Sequence, residues 1–396
     1  MAKRTSQKKP LSYQLKPYVN LRILLTVFSL IAIGLIMMTS SSMDVAETKN
    51  ASDSLFYLKR QLVFFLIGIM LIVFIYQVKL EYIERNALLM LFLSIFLLLI
   101  VLLPGIGKSA NNAQRWLSLG SYSFQPSELV KIFFIIYLSS YISRYQEDIQ
   151  QNFSAFIKPI LLVSILALLL FLEPDFGTMI LILCITSGML FLAGAKVWHF
   201  LIVFSVGTPI ILYMIQAPYR WNRVITFLDP WQDQYDTGYQ LVNSLIAIGS
   251  GGIFGLGLGN SIQKLGFLPE PHTDFIFAIT AEELGLLGAI FVILLYLILF
   301  FESFKLAKEA QRLEKYFASF LAFGISIWFV LQAFINIGVN IGLLPTKGLT
   351  LPLMSYGGSS FIVALCAVGF LLRIHRENYL TYLSRPVSRR RNRSVR

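Results

Sequence analysis

Asp274 stands in the stretch Leu268-Pro269-Glu270-Pro271-His272-Thr273-Asp274-Phe275, where a proline-rich connection gives way to a long apolar run. A carboxylate at such a boundary is partly desolvated, which raises its basicity and suits it to take a proton from a hydroxyl. The same position also suits a helix cap or first-turn acid, because the amide end of a helix favours negative charge. Asp274, Ala278 and Glu282 follow i, i+4 spacing, so Glu282 shares the face of Asp274 about 12 Å further along a helix axis. Glu282 is either a second functional acid or one satisfied by a structural partner such as Lys131. Glu283 points elsewhere and receives no role.

A set of cations forms the second constellation. Arg115 beside Trp116, Arg220 and Arg223 flanking Trp221, Lys264 and Lys347 all fall in connections between apolar runs. Singly, Arg and Trp neighbours are ordinary membrane-interface anchors. Together, near one carboxylate, they suit the binding of a pyrophosphate whose negative charge grows as it departs. Gln125-Pro126-Ser127-Glu128-Leu129-Val130-Lys131 reads as a helix start with proline at the first position and an acid in the first turn. Glu128 and Lys131 are three apart and can pair on one face; alternatively Lys131 lends its charge to a cavity. Glu173-Pro174-Asp175-Phe176-Gly177-Thr178 reads as a turn in which Asp175 caps the next helix.

The elements that must position these groups are helices in a membrane. Of 396 residues, 56% are hydrophobic and 14% charged, against about 45–50% and about 25% in a soluble domain. A soluble fold cannot hide so much apolar surface, so soluble enzymes, nucleic-acid-binding domains and disulfide-rich secreted modules are excluded. A span needs about 20 mainly apolar residues, and hydropathy predicts an all-α polytopic membrane protein of ten helices. They are placed at 23–41, 61–78, 87–104, 126–143, 157–172, 177–194, 198–215, 273–301, 317–340 and 357–374. Residues 1–22 form a basic N-terminal arm, 23–374 the membrane domain and 375–396 a basic C-terminal tail.

An even number of spans puts both termini on one side. Most of the 33 Lys and Arg residues fall on that side, which makes it cytoplasmic by the positive-inside rule. The net charge of +12 is therefore an orientation signal. The first span has no convincing cleavage site and is expected to be retained. Arg389, Arg390, Arg391 and Arg393 read as a tail near anionic membrane lipid rather than a nucleic-acid contact. The external connection 217–271, between the seventh and eighth helices, is too long to be a mere linker. Its glycines, Gly249, Gly251, Gly252, Gly255, Gly257 and Gly259, lack the strand and βαβ context of a dinucleotide site, which leaves close backbone packing or a re-entrant segment. Cys184 and Cys366 fall inside spans and the three histidines have no metal-ligand spacing, so neither a disulfide nor a zinc site is expected. No cofactor is identified. Asp229, Asp233 and Asp236 could hold a divalent cation, but Asp229-Pro230 reads more simply as a turn.

The segments Asn112 to Trp116, Gln125 to Glu128, Glu173 to Gly177, Pro269 to Ala278, Ala281 to Gly285 and Asn336 to Ser360 resemble the SEDS family, the shape, elongation, division and sporulation proteins. The resemblance runs from about residue 20 to 380. Thr346-Lys347-Gly348-Leu349-Thr350, Glu173 to Gly177 and Pro271 are similar to the division branch rather than to its elongation paralogue. It implies a ten-helix peptidoglycan glycosyltransferase that polymerises lipid II on the outer face of the bacterial plasma membrane, at the division septum. Asp274 matches the family's essential Asp through its His-Thr-Asp-Phe context.

The implied mechanism inverts the anomeric carbon of the donor: Asp274 is the general base and undecaprenyl pyrophosphate the leaving group. Lys347, Arg115 and Arg223 are expected to stabilise that group, and Trp116, Gln125, Ser127, Glu128, Lys131 and Glu282 to contribute to substrate binding. The implied partners are lipid II and the nascent glycan chain, a septal class B penicillin-binding protein that acts as transpeptidase, and divisome regulatory proteins. A lipid II flippase, a divisome scaffold and the same chemistry in elongation are the competing readings.

Overall fold

The computed structural model describes residues 18–49, 53–105, 107–110, 113–119, 122–215 and 227–384. Helices occupy each of the ten apolar segments: α1 (Leu21–Lys49), α2 (Phe56–Gln77), α4 (Ala87–Leu102), α5 (Pro126–Gln151), α6 (Phe153–Leu172), α7 (Phe176–Leu192), α8 (Val197–Ile215), α10 (Ile276–Arg312), α11 (Tyr316–Asn340) and α12 (Gly358–Ser384). Two more are short, α3 (Leu80–Arg85) and α9 (Tyr239–Ser250). Six of the described helices are long and apolar enough to cross a membrane: α1, α2, α6, α10, α11 and α12. The chain is thus a multi-pass membrane protein.

Several helices outrun the apolar stretches that announce them. α5 continues to Gln151, α10 to Arg312 and α12 to Ser384, well past the expected ends at 143, 301 and 374. Hydropathy marks only the lipid-facing length, whereas polar turns continue wherever partners hold them. At the far end of α12, Glu377 takes Arg373 at 2.7 Å and Lys315 at 3.5 Å and accepts the Leu80 amide at 3.1 Å. The first ten residues of the expected tail are accordingly helix. The rest of that tail and residues 1–17 lie outside the described residues.

The chain is not purely α-helical. Between α4 and α5 lies a three-stranded antiparallel sheet, β1 (Gly107–Ala110), β2 (Ala113–Leu119) and β3 (Tyr122–Phe124). Its strands are short and lack the sustained apolar alternation that signals a strand in sequence. β2 carries Arg115 and Trp116, whose side chains alternate to opposite faces, with Trp116 opposite Lys108 in the register.

α10 is broken at Gly285, whose φ of 68° and ψ of −170° belong to a region that only glycine adopts without strain. The break frees main-chain groups that must find partners away from water. The glycine-rich stretch supplies them. Leu256 and Gly257 donate to the carbonyls of Glu282 and Glu283, each at 3.0 Å, and Leu286 donates to Gly252 at 2.9 Å. A side chain on Gly251 or Gly255 would collide with the carbonyl of Ala281 or Glu283. Gly251 and Gly255 therefore serve close backbone packing, whereas a Cβ on Gly249, Gly252 or Gly259 would meet open space.

The two acids beside the break hold the same stretch. Glu282 accepts from the Ser261 hydroxyl and from the Ile262 amide at 2.9 Å. Glu283 pairs with Lys264 at 2.9 Å and accepts from Ser40 of α1 at 2.7 Å. Lys131 is therefore not the partner of Glu282. The Ile262 and Gln263 amides and the Ser261 hydroxyl satisfy it instead.

Candidate functional site

One end of the bundle gathers four segments: β2, the 173–177 turn between α6 and α7, the turn before α10, and the 345–352 stretch after α11. α10 begins at Ile276, which leaves Asp274 in the turn ahead of it, half-buried. The main-chain carbonyl of Asp274 accepts from Asn336 Nδ2 at 2.8 Å and from Asn340 Nδ2 at 3.1 Å. Asn340 also accepts the Ala278 amide at 3.1 Å. Asn336 reaches in addition to the Leu349 carbonyl at 2.6 Å. Two asparagines one turn apart on α11 thus fasten the Asp274 turn to the turn that carries Lys347. The Asp274 carboxylate is free of these bonds and lies against Gly348, where an added Cβ would stand 3.0 Å from its Oδ2.

The electrostatics favour a base. Desolvation, assisted by the charge of Glu270, pushes the Asp274 carboxyl up to about 7, and Arg115 opposes this only in part. A carboxylate tuned to about neutrality combines basicity with a substantial ionised fraction. Arg115 Nε donates to the Glu173 carbonyl at 3.0 Å, and its Nη2 donates to the Pro174 carbonyl. Lys347 Nζ stands 4.8 Å from the centre of the Phe176 ring, an ordinary cation–π distance. Gly177 packs on Leu349, which joins the 173–177 turn to the Lys347 segment. Asp274, Arg115 and Lys347 are therefore brought to one place by three separate elements.

The remaining candidates sit around or beneath this centre. Asp175 caps α7 by accepting the Thr178 amide at 3.2 Å, as its position in the sequence suggests. Its other oxygen accepts from Ser127 Oγ at 3.0 Å and Gln125 Nε2 at 3.3 Å, so these two residues tie the start of α5 to the site. Glu128 and Lys131 form a buried ion pair at 2.7 Å. Lys131 also donates to Gln332 Oε1 at 3.0 Å, and Gln332 Nε2 donates to the Thr350 carbonyl at 2.8 Å. That pair supports the Lys347 stretch from below. Trp116 is half-buried beside Arg115, whereas Glu282 lies with the glycine-rich stretch. Arg223 lies outside the described residues. Among the described residues no group of three or more His, Cys, Asp or Glu side chains is arranged to hold a metal ion.

Asn336, Asn340 and Glu173 are functional candidates that sequence reasoning passed over. The signal for the asparagines was present as two amides at i, i+4 near the end of an apolar helix, where polar side chains need a reason.

Comparison with known proteins shows the family. The family described as cell cycle protein, comprising FtsW, RodA and SpoVE, matches residues 21–380. A relative described as a probable peptidoglycan glycosyltransferase FtsW from Thioalkalivibrio sulfidiphilus is 47% identical over 93% of this chain and 92% of its own. Another so described, from Legionella pneumophila, is 48% identical over 89% of each chain. Among solved structures, a chain of a peptidoglycan synthase complex described as coordinating polymerization and crosslinking superposes with a TM-score of 0.74 at 28% identity, covering 91% of this chain and 98% of that one. The rod shape determining protein RodA of Thermus thermophilus superposes at 0.65 and 26% identity, with the same coverage. With the match spanning nearly all of the described helices, the chain belongs to the FtsW, RodA and SpoVE family of cell cycle proteins, the SEDS family.

Proposed function

We propose that this membrane enzyme, a peptidoglycan glycosyltransferase, polymerises lipid II into glycan strands at the division septum, with Asp274 as general base. The observation that carries the reading is the meeting of a half-buried carboxylate of raised basicity with Arg115 and Lys347 at one end of the bundle. Asp274 takes the proton of the acceptor 4-hydroxyl as that oxygen attacks the donor anomeric carbon from the face opposite the departing pyrophosphate. The new glycosidic bond forms as the bond to pyrophosphate breaks, and the configuration inverts. No carboxylic acid need protonate this leaving group, in contrast to the two-carboxylate pattern of glycoside hydrolases. Its growing charge is met by Arg115 and Lys347, whose value is high where water is excluded.

This reading takes ten spans with both termini cytoplasmic, so that this end of the bundle faces the outside of the plasma membrane. The 251–257 stretch then re-enters the bundle from that side, at the Gly285 break. A septal class B penicillin-binding protein is the partner this reading requires, and the synthase complex among the structural neighbours supports it. A lipid flippase needs charge distributed along a path through the membrane. Away from the site the buried charges here are locally satisfied, Lys131 by Glu128, Lys264 by Glu283 and Glu282 by Ser261 and the Ile262 amide, which favours the polymerase.

The purified chain with its transpeptidase partner is expected to convert lipid II into glycan polymer resolvable by electrophoresis. Transport of lipid II between leaflets without polymer would contradict the reading. Lys347→Ala is expected to lower kcat about 10–100-fold through lost charge at the leaving group, with Lys347→Arg recovering much of it. Equal rates in wild type and both variants would reduce Lys347 to a loop anchor.

A further inference from the structure

Glu173, at the C-terminal end of α6, is fully buried, and neither of its carboxyl oxygens meets a hydrogen-bond donor among the described residues. Yet a guanidinium is at hand. Arg115 Nε and Nη2 go to the main-chain carbonyls of Glu173 and Pro174 and leave the Glu173 carboxyl without an ion pair. A buried carboxylate beside an arginine would ordinarily take the bidentate contact. An orphaned buried ion is among the costliest arrangements in a protein, whereas the neutral acid is tolerated.

The charged surroundings point the same way. Burial, with the charge of Asp175 two residues on, pushes the Glu173 carboxyl up to about 8 against the opposing pull of Arg115. Asp175 is itself occupied by Ser127 and Gln125 from the start of α5, and the Glu128–Lys131 pair of α5 is internally compensated. Lys347 faces the neighbouring Phe176 ring. Arg115 also acts on Asp274, so one guanidinium lies in the field of both carboxyls.

We infer that Glu173 is a positioning residue for Arg115: while its carboxyl is protonated the guanidinium charge stays available to the pyrophosphate of the substrate, and ionisation of the carboxyl withdraws that charge. The inference rests on the reading of Arg115 as a pyrophosphate-binding cation. It makes Glu173 the origin of an alkaline limit on substrate affinity. The sign follows from the direction of the shift. Below about pH 8 the acid is neutral and leaves the Arg115 charge undiminished; above it, each Glu173 that ionises cancels one positive charge. Pyrophosphate binding, conversely, favours retention of the proton.

The test is the KM for lipid II between pH 7 and pH 9 in the full chain bound to its transpeptidase partner, for wild type, Glu173→Gln and Arg115→Ala. The wild-type KM is expected to rise roughly tenfold over this interval, following the titration of a single group near 8. Glu173→Gln, which cannot ionise, should show a ratio of KM values at the two pH values near one, with the pH dependence of kcat unaltered between the two proteins. A flat wild-type KM would overturn the inference whatever the variant does, and so would an alkaline rise that persists in Glu173→Gln. Arg115→Ala separates the two levels of the argument. If it leaves both KM and kcat at pH 7 unchanged, the assignment of Arg115 to pyrophosphate fails; if it lowers kcat alone, the role of Glu173 in affinity fails and Arg115 acts only on the departing group. If it raises KM while Glu173→Gln keeps the alkaline rise, only the role of Glu173 fails.

Discussion

Asp274→Asn is expected to reduce glycan polymerisation by a factor of about 10³ or more while leaving the protein folded and able to bind the proposed transpeptidase partner. General-base catalysis by a positioned side chain contributes about 10²–10⁴ in rate, and asparagine keeps the shape while removing the proton acceptor. Folding should survive because the structural bonds at this position run to the main chain. Asn336 and Asn340 hold the Asp274 carbonyl, which asparagine retains. The carboxylate itself lies against Gly348. Polymer yield from lipid II, measured beside thermal stability in detergent and co-purification of the partner, checks both halves. Polymerisation at the wild-type rate would remove Asp274 from the chemistry. Loss of folding together with activity would instead make it a structural acid of the turn.

Asn336→Ala is the second large effect, for a different reason. Asn336 Nδ2 alone bridges the Asp274 carbonyl at 2.8 Å and the Leu349 carbonyl at 2.6 Å. The first lies in the turn of the proposed base and the second two residues from Lys347, the cation proposed to meet the leaving group. Its loss strands the buried Leu349 carbonyl, at a cost of about 1–3 kcal/mol, and frees two turns whose spacing sets the reaction geometry. A displacement of about 1 Å is worth about 10² in rate. The expected outcome is a fall in kcat of about that size, with a modest loss of thermal stability and little change in partner binding. Asn340 still holds Asp274 in this variant, so Asn336→Ala should retain more activity than the double replacement with Asn340→Ala. A loss of stability with kcat unchanged would assign the amide to the frame only.

The membrane elements were legible because long runs such as 87–103 carry no charge, and the cost of burying a charge leaves few other interpretations. Local chemistry was legible too. Pro126 opens α5, Asp175 caps α7, and Glu128 pairs with Lys131, all from interactions between near neighbours in the chain. What escaped depends on contacts between distant segments. Glu282 and Glu283 lie next to each other, yet their partners, Ser261, Lys264 and Ser40, come from loops and helices that sequence spacing does not connect. The sheet carrying Arg115 is built from pieces too short for a periodic signal. Glu173 reads as one member of a turn, and only the folded chain shows that Arg115 bonds its carbonyl instead of its carboxyl. Close packing was readable in the 249–259 stretch, where Gly251 and Gly255 show it, but Gly285, on which Gly255 packs, lies in an otherwise regular helical pattern.

The most direct test of the base assignment is the pH dependence of kcat/KM for lipid II polymerisation by the purified chain and its partner, with the transpeptidase site blocked by a β-lactam. Asp274 must be ionised to act, and burial holds it at about 7. Activity should therefore fall about tenfold for each pH unit below 7, approaching the weak residual rate of Asp274→Asn, which should show no such acid limb. A wild-type profile flat from pH 5 to pH 7, or the same acid limb in Asp274→Asn, would contradict the account.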